Sequence, residues 1–542
     1  MLWAVTSMIH GLHLTIPELA VIVGSIVLVL ARWLPPAARG RAAVGASVVA
    51  LAGAAGTLPE PRWQILMVLA ADLLIGAATG AAWLLGRRRA RRGAGHTGQR
   101  GDGSGEWRGD GPDGQRGDAS GERRGDGSGE QRGDESGERR GDGSGERGAG
   151  RRDGGGVRAR WWVALPGSLL CAALVLGGGV AAWALPIPAF PEPSGPSSVG
   201  TTVLQWTDQS REEPATRDDA DRRTVVVQLW YPAQGAGADR AQYLGRTRRE
   251  ADVVAGAVAG YLGAPGFLLD GPTRARTHAV TGAAPAEGRF PVVVFSPGLG
   301  GVRTQNTAWA EDLASRGYVV AGVDHPYDSA AVVLDDGRTV KTRIAATGDR
   351  AEGERLRTAW TAVRAEDLRF VLTQLGRLDS GEIAGPFAGR LDTARAAATG
   401  HSIGGAAAME AAADDPRFTA AINMDGGLNP GQGPLRQPVL ALTHEVRDQA
   451  DAEFVAKVDT VLGGGAATSY RLSVPGSAHL TFTDAPLYLP PVPALVGSLG
   501  GSGSVRMTEA TTAAFLDATL SGRAVDLRAR LAEYGTLSVH DH

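Results

Sequence analysis

Residues 398–408 read ATGHSIGGAAA and hold the one Gly-x-Ser-x-Gly pattern in the chain, centred on Ser402. Alone the pattern is weak, because 78 of the 542 residues are glycine and chance matches follow. Its surroundings decide. RAAATG (395–400) is a short apolar run that predicts a buried strand, and IGGAAAMEAAA (403–413) predicts a helix of small residues. A strand that enters a sharp turn and leaves as a helix lifts the turn residue clear of the backbone, which is the exposure a serine nucleophile needs. Gly400 and Gly404 flank it because the strained turn leaves little room for side chains, while Gly405 and the following alanines let the helix pack closely on a sheet.

A serine hydroxyl becomes a useful nucleophile only when an imidazole takes its proton, and the imidazole needs an acid to fix its tautomer. His479, in YRLSVPGSAHLTFTD (470–484), follows the last predicted strand of the sheet and is the expected base. His401 adjoins the serine and points the wrong way, His325 precedes it, His540 and His542 lie in the tail, and His444 falls one strand too early. The acid has two sources: Asp425 ends the apolar run AAINMDGG (420–427), and Glu445 and Asp448 follow PVLALTHE (438–445). Negative charge developing on a carbonyl oxygen needs backbone N–H donors. Ile403 supplies one, directly after the serine, and Leu299 the other, in the glycine-rich turn of FPVVVFSPGLGG (290–301). The order serine, acid, histidine is that of an α/β-hydrolase, a mostly parallel central sheet with helices on both faces, expected over residues 195–542. This chemistry calls for no metal and no cofactor.

The rest of the chain differs in composition. Residues 1–92 are apolar with arginine-rich flanks, 93–157 are almost only Gly, Arg, Asp, Glu and Ser, and 158–190 are apolar again. Trp161 to Leu185 carries no charge and is long enough to cross a bilayer as a helix. Trp63 to Leu85, Leu14 to Leu34 and Ala42 to Leu58 are further candidate spans, making three in the first region and a fourth after the linker. Arg32, Arg39 and Arg41, the run Arg87 to Arg92, and Arg151, Arg152, Arg158 and Arg160 fit one topology: N-terminus outside, linker inside, C-terminal domain outside a cell membrane crossed several times. Glu18 and Asp72, ionisable at membrane depth, are read as interhelical hydrogen-bonding groups. In the linker an octapeptide opening Arg-Gly-Asp recurs from Arg100 to Arg140, a composition that cannot bury a core and predicts disorder. The net charge of −3 argues against a nucleic-acid partner, and the one cysteine, Cys171, excludes an internal disulfide.

Six further stretches carry a resemblance: TVVVQLWYPA (224–233), FSPGLGGVRT (295–304), SRGYVVAGVDHPYDS (315–329), ATGHSIGGAA (398–407), NMDGGL (423–428) and GSAHLTFTD (476–484). Over about residues 198–522 the chain resembles the platelet-activating factor acetylhydrolases of the plasma and intracellular type II class and their bacterial esterase relatives. The resemblance implies a serine esterase acting on short-chain acyl esters or oxidised phospholipids, and an acid soon after the nucleophile. That favours Asp425, 23 residues after Ser402 and 54 before His479. Two departures stand out: Pro297, where the animal enzymes have histidine, and the membrane region, which they lack.

Alternative readings on the same fold are a polyester or cutin hydrolase and a serine peptidase. From another class comes a membrane-tethered sensor without turnover. Arg364 and Asp367, one turn apart on an amphipathic helix from Glu354 to Leu378, are expected to pair with each other, and Asp324 and His325 to fix a loop at the site's rim.

Overall fold

A computed structural model describes residues 14–31, 33–57, 62–94, 161–235, 237, 239–343, 350–428 and 433–541. The linker repeats from Arg100 onward lie outside the described residues. The chain forms two compact units, Leu73–Cys171 on one side and Met1–Asp72 with Ala172–His542 on the other. Four helices open it: α1 (Ile16–Ala31), α2 (Pro36–Thr57), α3 (Trp63–Ala94) and α4 (Trp161–Ala184).

Four spans are expected from the sequence, but among the described residues one helix is long and apolar enough to cross a membrane, the stretch Pro166–Ala184 of α4. The apolar helices Ile16–Ala31 and Trp63–Ala78 fall short in length, and the arginines after Leu85 continue α3 rather than end it. Asp72 and Glu18 do make the expected polar contacts. Ser25 Oγ lies 2.8 Å from Asp72 Oδ2, and Glu18 meets the buried Arg62 at 3.3 Å. Arg62 also donates to the carbonyls of Ala182 (3.2 Å) and Leu185 (2.6 Å), satisfying acceptors that the end of α4 leaves without intrahelical partners.

Among the described residues the C-terminal part is built on thirteen strands: β1 (Ser198–Glu212), β2 (Arg222–Ala233), β3 (Arg240–Gln242), β4 (Arg276–Thr281), β5 (Phe290–Ser296), β6 (Val319–Asp324), β7 (Ala331–Val333), β8 (Thr339–Lys341), β9 (Leu391–His401), β10 (Phe418–Met424), β11 (Val439–Thr443), β12 (Ser469–Ser473) and β13 (Thr536–His540). Among the described residues nine α-helices accompany them: α5 (Arg248–Tyr261), α6 (Asp270–Arg274), α7 (Thr307–Ser315), α8 (Arg350–Asp379), α9 (Ile403–Asp414), α10 (Gln449–Gly463), α11 (Pro493–Val496), α12 (Gly501–Thr519) and α13 (Leu527–Ala532).

Eleven strands make one sheet in the order β13-β12-β11-β10-β9-β5-β6-β2-β1-β4-β3. The run from β12 to β6 is parallel, and β2 joins it antiparallel. Parallel strands buried on both faces need apolar side chains at every position, which is why PVVVF (291–295) shows no alternation. Val292 and Val294 face one core with α8, α9 and α10, and Val293 and Phe295 face the other with α7, α12 and α13. Each such side chain, fully removed from water, contributes roughly 1.5–3 kcal/mol. The α/β-hydrolase architecture is therefore the one expected.

The helix α8 corrects one expectation. Arg364 and Asp367 are both fully buried yet do not pair. Arg364 binds Asp328 (2.5 and 2.6 Å), while Asp367 binds Arg223 (2.6 Å), Arg211 (2.8 Å) and His325 Nδ1 (2.8 Å). The pairing rule for exposed helix faces gives way because both side chains point into the domain, where other elements supply better-placed partners. Arg364→Met should lower stability by about 3–5 kcal/mol, since it leaves Asp328 buried without a counter-charge. Chemical denaturation would measure the loss, and a change below about 1 kcal/mol would contradict it.

Candidate active site

The parallel strands β5, β9, β10, β11 and β12 end side by side, and the residues singled out in the sequence lie at or beyond these ends, His479 in the segment after β12. Ser402 follows β9 and precedes α9 at φ 57°, a left-handed conformation that is costly for any residue but glycine. The neighbouring glycines make the turn possible. A Cβ at Gly400 would come within 2.2 Å of the Gly404 backbone, and one at Gly404 within 2.1 Å of the Ser296 carbonyl oxygen.

Three side chains from separate elements meet there. Ser402 Oγ is 3.0 Å from His479 Nε2, and His479 Nδ1 is 2.6 Å from Asp425 Oδ2. Asp425 follows β10, also at positive φ (58°), and is buried, whereas the His479 side chain is about half exposed (48%). Burial would raise the Asp425 carboxyl, but hydrogen bonds from His444 and His479 outweigh it and hold the group well below the usual carboxylate range. Of the competing acids, Asp448 instead caps α10 by accepting the Asp451 N–H (3.0 Å), and Glu445 lies 3.6 Å from Arg447.

The residues expected to supply the two amides lie in segments next to Ser402. Ile403 is the first residue of α9, so its N–H has no acceptor within the helix. Leu299 lies in the turn after β5, whose Gly298 would bring a Cβ within 3.5 Å of Ser402 Cβ. That turn is gripped from below, because Arg364 donates to the carbonyls of Pro297 and of Gly298 (3.1 Å).

Sequence reasoning missed three supports. Gln305 accepts from the Gly298 N–H (3.0 Å) and donates to His401 Nδ1 (3.1 Å), and His401 Nε2 donates to the His479 carbonyl (2.9 Å). Burial drives His401 down to about 3, so the ring stays neutral and ties the turn after β5 to the loop carrying His479. Asp484 accepts the Thr307 N–H (2.7 Å) at the start of α7, anchoring the other end of that loop. The third is His444, which does not approach as a rival base but hydrogen-bonds Asp425 Oδ1 at 2.7 Å from the far side. As expected, Asp324 and His325 fix the rim: Asp324 accepts from Arg303 (2.6 Å), and His325 Nε2 lies 2.9 Å from Ser296 Oγ.

The family described as platelet-activating factor acetylhydrolase, isoform II, matches residues 187–521. The chain belongs to this family. Among acetylhydrolase relatives, it is 28% identical over 317 residues to a probable 1-alkyl-2-acetylglycerophosphocholine esterase of Arthroderma benhamiae, covering 55% of this chain and 76% of that protein. The platelet-activating factor acetylhydrolase of Cavia porcellus is 26% identical over 325 residues, covering 54% of this chain and 69% of its own. A solved ferulic acid esterase from Streptomyces cinnamoneus is 33% identical with a TM-score of 0.52, covering 62% of this chain and 94% of its own. By family and by structural likeness the chain is an ester-bond hydrolase of the α/β-hydrolase fold.

Proposed function

We propose that the chain is a serine esterase in which Ser402 is the nucleophile, His479 the general base and Asp425 the acid, with the amides of Leu299 and Ile403 as oxyanion donors. The observation that carries this reading is the unbroken line from Ser402 Oγ through His479 to Asp425, at 3.0 and 2.6 Å. Ser402 Oγ attacks the ester carbonyl while His479 Nε2 takes its proton, and Asp425 keeps the other proton on Nδ1 and stabilises the imidazolium. The carbonyl oxygen turns negative between the two amides. His479 then returns the proton to the leaving alcohol, and water, activated by the same imidazole, releases the acid.

The proposed substrates are short-chain acyl esters or oxidised phospholipids, in keeping with the acetylhydrolase relatives. We further propose a membrane-anchored enzyme, held by α4, with the linker in the cytoplasm and the esterase domain outside. The arginines flanking the linker support that orientation.

A fluorophosphonate probe should label the parent protein in intact cells, and an impermeant protease should remove the label. Failure of the parent to react would defeat the esterase reading, and protection from protease would defeat the orientation. Rates on p-nitrophenyl acetate should exceed those on the long-chain esters, and the reverse order would overturn the substrate class.

A further inference from the structure

His444 lies just after β11, in the strand-end position next to the one that carries Asp425, and both of its ring nitrogens face carboxylates. Nδ1 is 2.7 Å from Asp425 Oδ1 and 2.9 Å from Oδ2, and Nε2 is 3.1 Å from Asp451 Oδ1. An ionised carboxylate offers only lone pairs, so the ring satisfies both partners only with a proton on each nitrogen. Its backbone N–H adds a third bond to Asp425 Oδ1 at 2.9 Å, and the ring lies flat on Phe454, 5.6 Å away at 16°. Asp425 thus serves two imidazoles at once, His479 toward the serine and His444 away from it.

Resting on the esterase reading above, we propose that His444 is a positioning residue, an imidazolium that clamps Asp425 and offsets part of its negative charge so that His479 stays free to accept a proton in more acidic solution. The charged and titratable groups around the ring, among the described residues, are Asp425 after β10, Asp451 on α10, His479 beyond Asp425, and the pair of Arg447 and Glu445 in its own loop. The carboxylates dominate at contact distance. In keeping with this, hydrogen bonding to Asp425 raises His444 to about 9.

The sign follows from charge. An ionised Asp425 alone favours a proton on His479, and a fixed cation on its far side opposes that. Removing the cation makes His479 more basic, so the acidic limb of kcat/KM moves to higher pH. The test is the pH profile of ester hydrolysis by the full chain. His444→Gln should shift the acidic limb upward by roughly one pH unit. His444→Arg, which keeps the charge, should hold the limb at the parental pH, and His444→Asn replaces the glutamine variant should that one fail to fold. A side chain that only braces the loop would lower kcat at every pH and leave the limb in place. An unmoved or downward-shifted limb in the uncharged variants therefore overturns the proposal. Ser402→Ala assayed alongside keeps the two readings apart: retained activity sinks the nucleophile assignment, while lost activity with an unmoved limb sinks only the role given to His444.

Discussion

Ser402→Ala is expected to lower kcat/KM on p-nitrophenyl acetate by about 10⁵-fold, with the fold intact. The hydroxyl is the atom in line with His479 Nε2 at 3.0 Å, and the other group in that line, Asp425, sits behind the imidazole and has no path to the carbonyl. Removing one oxygen opens no cavity in a core, because Ser402 is only partly buried at the mouth of the turn. What survives is the modest catalysis that amide donors and binding give to water as nucleophile. Thermal unfolding should be nearly unchanged, so activity and stability separate. A variant with the parental rate would mean that another group attacks the ester.

Asp425→Asn should cost about 10³- to 10⁴-fold in kcat for a different reason. The carboxylate accepts hydrogen bonds from two rings and holds the His479 tautomer that presents a bare Nε2 to the serine. An amide has one acceptor and one donor end. If its N–H₂ faces His479, Nδ1 becomes the acceptor, the ring proton moves to Nε2, and the base is lost. The parental group stays ionised well below the ordinary range because the bonds from His444 and His479 outweigh the effect of burial. Its folded-state affinity for a proton is therefore lower than in the unfolded chain. It stabilises the fold above the unfolded carboxylate range and gives that up as the pH falls through the lower folded value. Steady-state kinetics of the variant across pH would check the drop in kcat, and a loss below tenfold would remove Asp425 from the chemistry.

Much of the fold is local information. The apolar runs PVVVF and RAAATG have no alternation and so imply strands buried on both faces, and the small residues after Ser402 imply a helix close to the sheet. The structure has β5, β9 and α9 where these signals lie. Membrane spans are less legible: length and hydropathy pass for one helix, while α1 is apolar but short. Arg62 is buried against Glu18 and the end of α4, which hydropathy has no means to register.

At the site, the candidate serine, histidine and two amide turns are read from residue types and spacing, because each follows a strand that its own sequence announces, whereas the acid stays open between two strand ends and is chosen by the family resemblance. Partner choice is not legible in this way. Arg364 with Asp328, Asp367 with Arg223, Asp425 with its two rings, and His401 with Gln305 are pairings across 19 to 144 residues, and short-range spacing rules cannot see them. Which strands lie adjacent is settled by the order β12-β11-β10-β9-β5, and that order brings residues 299, 402, 425, 444 and 479, each following one of these strands, to one edge. The sequence by itself determined which residue types are available for the proposed chemistry and on what kind of element each stands. Only the tertiary structure decided which of them meet, since contact between buried charges is chosen by whatever partners the packed sheet leaves within reach.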